Sequence, residues 1–411
     1  MEKNILRKLS KYATIFLIGL SIPFVVQAEE NENAQEKVVN FHSESMVELT
    51  EKKLPDTVAR FVYDSGLDFE YPEAVRGIYL TGNSAGGSRL PQYIDMIKNS
   101  DLNSMVIDVK EDNGMLTFRP DEDSPYYERS RNLMSNPREI LEKLEEEQIY
   151  PIARIVVFKD TQLAQDKPEW SFLDSSGKVW KNNKGESFVN PFVKDVWEYN
   201  VGVAKMAAEL GFQDIQFDYV RFPEGFERRD KELRYSEGDY VDYEGDNVQK
   251  RVQAVTDFVE YAREALKGYD VDVSVDIFGY SATIPEAPGI GQNFTKISEN
   301  VDVISSMIYP SHWTSYFGIA KPDTEPYKLV QEYVKVENER LGELENPPTS
   351  RPWIQDFEAP WLYPSGVPVF QYGKKEVEDQ IRALNEAGIK EFLIWNANNR
   401  YTEGVDYTPL N

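Results

Sequence analysis

The sequence predicts a closed, eight-stranded parallel α/β barrel, a (β/α)8 fold whose eighth helix is short or missing and whose strand-to-helix loops carry insertions. Three observations predict it. Eight short runs rich in β-branched and aromatic residues recur from Ala74 to the C-terminus, nearly every one is followed by a segment of helical periodicity, and no glycine-rich dinucleotide fingerprint follows the first run. Strict alternation demands parallel strands with helical returns, and eight such units favour closure over an open sheet.

Taken in order, Lys3, Arg7, Lys8 and Lys11 precede an apolar run from Ala13 to Val26, and Val26-Gln27-Ala28 places small residues where a signal peptidase reads. Residues 1–28 are therefore expected to be a signal peptide; the alternative, an uncleaved anchor, has a short apolar run for a spanning helix, and no stable membrane insertion beyond it is expected. Residues 29–72 are acidic and weakly patterned, a linker or a strap able to cover the gap left by the eighth helix. Residues 73–411 form the barrel domain, with strands expected at 76–81, 104–109, 150–158, 214–222, 271–278, 301–309, 351–357 and 391–396. Helices are expected at 90–99, 137–147, 193–210, 248–267, 294–299, 326–344 and 375–387. Two insertions fall on the side where barrels build their sites: a hairpin over 170–188 turning at Gly177, and a charged, tyrosine-bearing loop over 223–246.

Composition narrows the function. The chain has no cysteine, hence no disulfide framework and no lipoprotein attachment site, which suits the exterior of a Gram-positive bacterium. A net charge of −26 disfavours nucleic acid and anionic polymers, leaving neutral or amine-bearing substrates. With only His42 and His312, a histidine-rich zinc site cannot be assembled, so neither metal nor cofactor is expected and carboxylates are the abundant reactive groups.

The sharpest segment is Asp214-Ile215-Gln216-Phe217-Asp218-Tyr219-Val220-Arg221-Phe222-Pro223, an apolar fourth strand with a carboxylate near its C-terminal end. Alternation puts Gln216, Asp218 and Val220 on one face and Ile215, Phe217 and Tyr219 on the other, aiming Asp218 at the barrel mouth unless it is merely a buried ion-pair partner of Arg221 or a nearby lysine. On the fifth strand, Asp276 stands at the same level. Hydrolysis of a glycosidic bond needs one protonated and one ionised carboxyl group, and strands about 4.8 Å apart suit the roughly 5 to 5.5 Å carboxyl spacing of a retaining enzyme. A purely structural Asp276, hydrogen-bonded to hold Asp218 or Lys110, is the competing reading. Asp108 and Lys110 share a parity on strand two, as an ion pair or as support for the site, while Asp356 at the end of strand seven is a second candidate acid. Arg154 reads as a low or mid-barrel ion-pair partner without a chemical role. Tyr309, His312, Trp313, Trp353, Gln355, Trp361, Trp395 and Asn396 fall at or beyond strand ends, where rings can stack on sugars and polar tips can meet hydroxyls.

The run Phe217-Asp218-Tyr219-Val220-Arg221-Phe222-Pro223 resembles the signature of a family of bacterial TIM-barrel proteins named for glycosyl hydrolase activity. Echoes lie in Arg76-Gly77-Ile78-Tyr79-Leu80-Thr81, Asp108-Val109-Lys110, Arg351-Pro352-Trp353-Ile354-Gln355-Asp356-Phe357 and Leu393-Ile394-Trp395-Asn396-Ala397. The resemblance implies a barrel enzyme acting on polysaccharide. A more distant likeness is to the α-amylase clan, whose nucleophile is an aspartate ending strand four; here Asp276 stands where that clan has a glutamate, and Gln216 where it has an arginine. The expected protein is thus a secreted glycoside hydrolase with Asp218 as nucleophile or stabiliser, Asp276 as acid/base, and support from Asp356, Asp108, Lys110 and Arg221. Its alternative is a non-catalytic glycan-binding or scaffolding barrel at the cell surface.

Overall fold

A computed structural model describes residues 37–41, 45–49 and 62–408. The first two pieces, Lys37–Phe41 and Ser45–Leu49, pair antiparallel as a hairpin. The expected signal peptide and most of the expected linker lie outside the described residues.

Eight parallel staves follow: β1 (Arg76–Leu80), β2 (Ser104–Lys110), β3 (Tyr150–Val156), β4 (Asp214–Asp218), β5 (Asp272–Phe278), β6 (Val303–Met307), a split β7 (Thr349–Ser350 and Trp353–Gln355) and β8 (Phe392–Trp395). Each pairs with the next, β8 returns to β1, and the two halves of β7 bridge β6 to β8, closing the barrel. Outside it lie α1 (Leu90–Lys98), α2 (Pro137–Glu146), α3 (Lys194–Leu210), α4 (Asn247–Leu266), α5 (Phe294–Ser298), α6 (Pro326–Gly342) and α7 (Lys374–Glu386). Local chemistry sets their ends. Asn136 caps α2 through the Glu139 amide with Pro137 at the first helical position, Asp246 caps α4, and Gly211 ends α3 in the left-handed conformation at φ 112°.

Side-chain alternation along the staves divides the apolar residues into two layers. Ile215 and Phe217 of β4 face outward, Phe217 meeting Phe258 of α4 edge-on at 5.6 Å, whereas Tyr79, Val106, Ile152, Trp353 and Leu393 pack inside the barrel. The floor is ionic: fully buried Arg351 donates to Asp214 at 2.6 Å, to Glu391 at 2.7 Å and to the Tyr71 hydroxyl at 3.0 Å. Asp214 also accepts from the Ser274 hydroxyl at 2.6 Å and Glu391 from the Tyr71 hydroxyl at 2.9 Å, so both carboxylates of the cluster are hydrogen-bonded on each oxygen.

Residues 62–72, the part of the strap that belongs with the barrel, do not cover the missing helix. They run under the barrel, where the Tyr63 amide bonds to Gly268, the Asp68 amide to Glu145, the Glu70 amide to Gln148, and Tyr71 joins the floor. No helix follows β8 among the described residues. The C-terminal tail fills that place: Tyr93 of α1 donates to the Asn399 carbonyl at 3.0 Å, Val405 and Tyr407 are buried, and the Asp406 amide bonds to Glu378 of α7. No helix among the described residues is long and apolar enough to cross a membrane.

Both insertions sit at the mouth. Residues 170–188 turn back at Gly177, φ 83°, with isolated bridges Ser171 to Val189 and Leu173 to Val179 in place of full strands. The charged loop over 223–246 hides an aromatic underside: Phe226, Tyr235 and Tyr240 pack with Phe172, Phe192 and Phe222 at ring separations of 4.8 to 6.1 Å. That packing anchors a long polar loop against the rigid barrel.

Candidate active site

The C-terminal halves of β2 to β5 bring together four ionisable groups, Asp108, Arg154, Asp218 and Asp276. Arg154, on β3 between β2 and β4, is 2% exposed and donates from Nη1 to Asp108 Oδ1 at 2.7 Å, from Nε and Nη2 to Asp218 Oδ2 at 3.0 and 2.6 Å, and from Nη2 to Asp112 Oδ1 at 3.0 Å. Its guanidinium lies over the rings of Tyr79 and Trp395, 5.6 and 5.3 Å from their centroids. Asp108 also accepts from the Tyr79 hydroxyl at 2.5 Å, and Lys159 binds the second oxygen of Asp112 at 3.0 Å. Asp218 thus pairs with Arg154 rather than with Arg221, which donates to the Phe222 carbonyl and Glu224 and stacks on Tyr219 and Phe278.

Asp276 has a different environment. Phe217 pairs with Val275, so continuing the register by one residue sets Asp218 beside Asp276. No ion pair reaches Asp276 among the described residues; the Trp353 indole N–H donates to its Oδ1 at 2.8 Å. Burial, reinforced by the negative charge of Asp218, pushes its pKa well above the usual carboxylate range. The two carboxyl groups, set on adjacent strands, are therefore differently supported.

Both line one cavity of about 370 Å³, together with Arg154, Tyr219, Arg221, Tyr309, His312, Trp353 and Trp395. The cavity continues two ways. Through Phe278, Met307 and His312 it meets an aromatic arm of about 480 Å³ bearing Tyr280, Trp313 and Tyr316. Through Lys184, Tyr219, Arg221 and Glu224 it meets an arm of about 230 Å³ under the 170–188 insertion. Burial lowers the pKa of His312, favouring a neutral imidazole in the wall.

Several expected residues lie elsewhere. Lys110 is fully buried between barrel and α3, donating to the Val156 carbonyl at 2.8 Å, to Asn200 at 3.1 Å and pairing with Asp160 at 2.7 Å. A register shift between Asp108 and Lys110 breaks the alternation that would have turned both into the mouth. Asp356 accepts from the Thr402 amide and hydroxyl at 2.8 and 2.6 Å, anchoring the C-terminal tail. Asn396 donates to the carbonyls of Asp356 and Arg400, and Gln355 accepts from the Ser311 amide, so these two shape the loops around the cavity. Tyr219 departs from the expected outward set: β4 ends at Asp218, and Tyr219 takes φ 53°, a conformation rare for a bulky side chain that costs roughly 1–3 kcal/mol. That turn brings its amide 2.6 Å from Asp218 Oδ1 and its ring into the cavity.

The buried carboxyl groups set a pH dependence of stability. Burial outweighs the Arg154 charge and raises Asp108 from 3.8 to about 6; on the floor, burial likewise outweighs Arg351 and raises Asp214 to about 6. A folded state that holds protons more tightly than the unfolded chain is fully stabilised by them below the unfolded pKa and loses that contribution as pH rises through the folded one. These groups therefore make stability fall between about pH 4 and pH 6, by up to roughly 2–3 kcal/mol each, and the thermal midpoint falls with it. The opposite case is Asp112: partial burial would raise it, but Arg154 and Lys159 hold it at about 2, and its contribution is lost only in stronger acid. Thermal scans of parent and Asp108→Asn across pH 4 to 7 test this, with a flatter fall expected in the variant and a rising parent midpoint contradicting it.

Known proteins share this fold. No curated protein matches the chain. A hypothetical protein from Ruminiclostridium thermocellum ATCC 27405 is 31% identical over 48% of this chain and 96% of its own, with a TM-score of 0.42. The PgaB (BpsB) glycoside hydrolase domain from Bordetella bronchiseptica shares the fold at a TM-score of 0.55 and 14% identity, over 79% of this chain and 94% of that one. An alpha-galactosidase from Thermus thermophilus, solved with stachyose, gives 0.48 and 11% over 82% and 64%. Residues 77–401 match the family described as "Putative glycosyl hydrolase domain". That span holds the barrel from the second residue of β1 through β8 and both aspartates, and the chain belongs to this family.

Proposed function

We propose that the chain is a secreted glycoside hydrolase that cleaves a polysaccharide or oligosaccharide with retention of anomeric configuration, Asp218 acting as nucleophile or charge stabiliser and Asp276 as acid/base. One observation carries this reading: two carboxyl groups at the same level of adjacent staves line one cavity, one tied to a guanidinium and the other to an indole N–H alone. Asp276, kept protonated, gives its proton to the glycosidic oxygen as the bond to the anomeric carbon breaks. Asp218 has about four lone-pair sites, of which Arg154 and the Tyr219 amide fill three, leaving one on Oδ1 to meet that carbon. Asp276, now ionised, then takes a proton from water, which displaces Asp218 and returns both groups to their starting state. Tyr309 and Trp395 supply ring edges for the sugar beside this pair, while Trp353 is buried beneath it and holds Asp276.

Export rests on the basic and apolar N-terminus ending in Val26-Gln27-Ala28. The test is a panel of neutral, amine-bearing and acidic oligosaccharides followed by proton NMR. New reducing ends are expected, the first-formed anomer matching the substrate. Binding with no cleavage at any protein concentration would leave a scaffolding barrel instead, and a first-formed inverted anomer would remove the nucleophile role.

A further inference from the structure

The arm under the 170–188 insertion differs in charge from the rest of this acidic protein. Its wall brings Lys159, Lys184, Arg221 and Arg229 against two carboxylates, Glu186 and Glu224. Lys159 is matched by Asp112 at 3.0 Å and Glu186 at 2.8 Å, and Arg221 by Glu224 at 3.2 Å. Lys184 and Arg229 have no carboxylate within ion-pair distance among the described residues, although the chain carries 71 acidic residues to 45 basic ones. The Arg229 guanidinium rests over the Trp180 ring, 5.4 Å from its centroid, so its face is occupied while its N–H edge stays available to an acceptor in its plane. Lys184 lines both this arm and the cavity holding Asp218 and Asp276. The opposite arm offers Tyr280, Trp313, Tyr316 and the neutral His312, with Glu224 as its lone charged side chain.

We infer that this arm is a subsite for an anionic substituent, a carboxylate or a phosphate carried on a sugar ring next to the bond that is cut, bound by Arg229 and Lys184. The inference rests on the glycoside hydrolase reading and names the substrate class for it. It also revises what net charge implies. A charge of −26 repels polyanions at a distance, but at physiological salt fields are screened beyond about 8 Å, so contact with a local cationic wall decides the bound state. Neutral and amine-bearing glycans lack the group that this wall would satisfy.

Saturation-transfer NMR titrations of the full chain with D-glucuronate, D-glucose 6-phosphate and D-glucose test it without knowledge of the linkage. At least one anionic sugar is expected to bind about fivefold or more tighter than glucose, with a preference that weakens as salt rises. Which of the two binds more tightly distinguishes carboxylate from phosphate. The Lys184→Gln/Arg229→Gln double variant should lose that preference, while Arg229→Lys, which keeps the charge without the stacked fork, should retain part of it. Equal affinity for all three sugars, or a preference untouched in the double variant, overturns the inference. A chain that prefers the anionic sugar yet cleaves no acidic or neutral oligosaccharide keeps the subsite and loses the hydrolase; one that cleaves neutral glycans without such a preference does the reverse.

Discussion

Asp218→Asn is expected to slow glycoside cleavage on the order of 10⁴-fold, equivalent to about 5.5 kcal/mol of transition-state stabilisation, with the fold intact. The substitution is nearly isosteric, so the Tyr219 amide can still meet the side-chain oxygen, but Arg154 faces a neutral amide and the anomeric carbon no longer finds an anion. Asp276→Asn should lose about 10² to 10⁴-fold on natural substrates, the usual range for positioned acid catalysis. The two variants separate by leaving group. An aryl glycoside that departs without protonation should recover much of its rate in Asp276→Asn and little in Asp218→Asn. They separate by pH as well: the alkaline limb of kcat/KM belongs to loss of the Asp276 proton, lies above the ordinary carboxyl range because that group is buried beside a negative charge, and should vanish in Asp276→Asn. Equal rates in parent and Asp218→Asn, or an alkaline limb unchanged in Asp276→Asn, would remove the two-carboxylate mechanism.

The fold was legible because every stave announces itself locally. A β-branched run buried on both faces and an amphipathic return are short-range signals, and α3, α4 and α6 lie within two residues of their expected ends. Asp218 and Asp276 were legible for the same reason, as isolated charges in otherwise apolar strands. What misled is whatever breaks alternation. The irregularity after Asp108 turned Lys110 toward α3, and the left-handed Tyr219 carried its ring into the mouth instead of toward the helices. Neither has a glycine to signal it. Past the strand ends periodicity says nothing, so Gln355, Asp356 and Asn396 read as site residues although their hydrogen bonds organise loops and tail. Arg154 reads from sequence as a local partner because one arginine in a strand usually pairs locally. Its signal lay one level up: with strands in order, β3 falls between Asp108 of β2 and Asp218 of β4, and a single inward cation there must serve both.

That position makes Arg154→Met the substitution with the largest expected loss of stability, about 3–5 kcal/mol, read as a lower denaturant midpoint with unchanged slope. The methionine fills similar volume, so the loss comes from charge: Asp108 and Asp218 remain nearly buried and Asp112 half exposed, all without their shared guanidinium. Adding Asp108→Asn removes one uncompensated carboxylate and should restore part of the stability, a coupling that independent sites would not show. Arg154→Lys keeps the charge, yet one ammonium cannot span three carboxylates as a planar fork does, so it should fold better than the methionine variant and still cleave slowly. The alkaline limb gives the decisive sign. Arg154 favours the ionised form of Asp276, so its removal should move that limb to higher pH, whereas a role confined to packing would leave the limb in place.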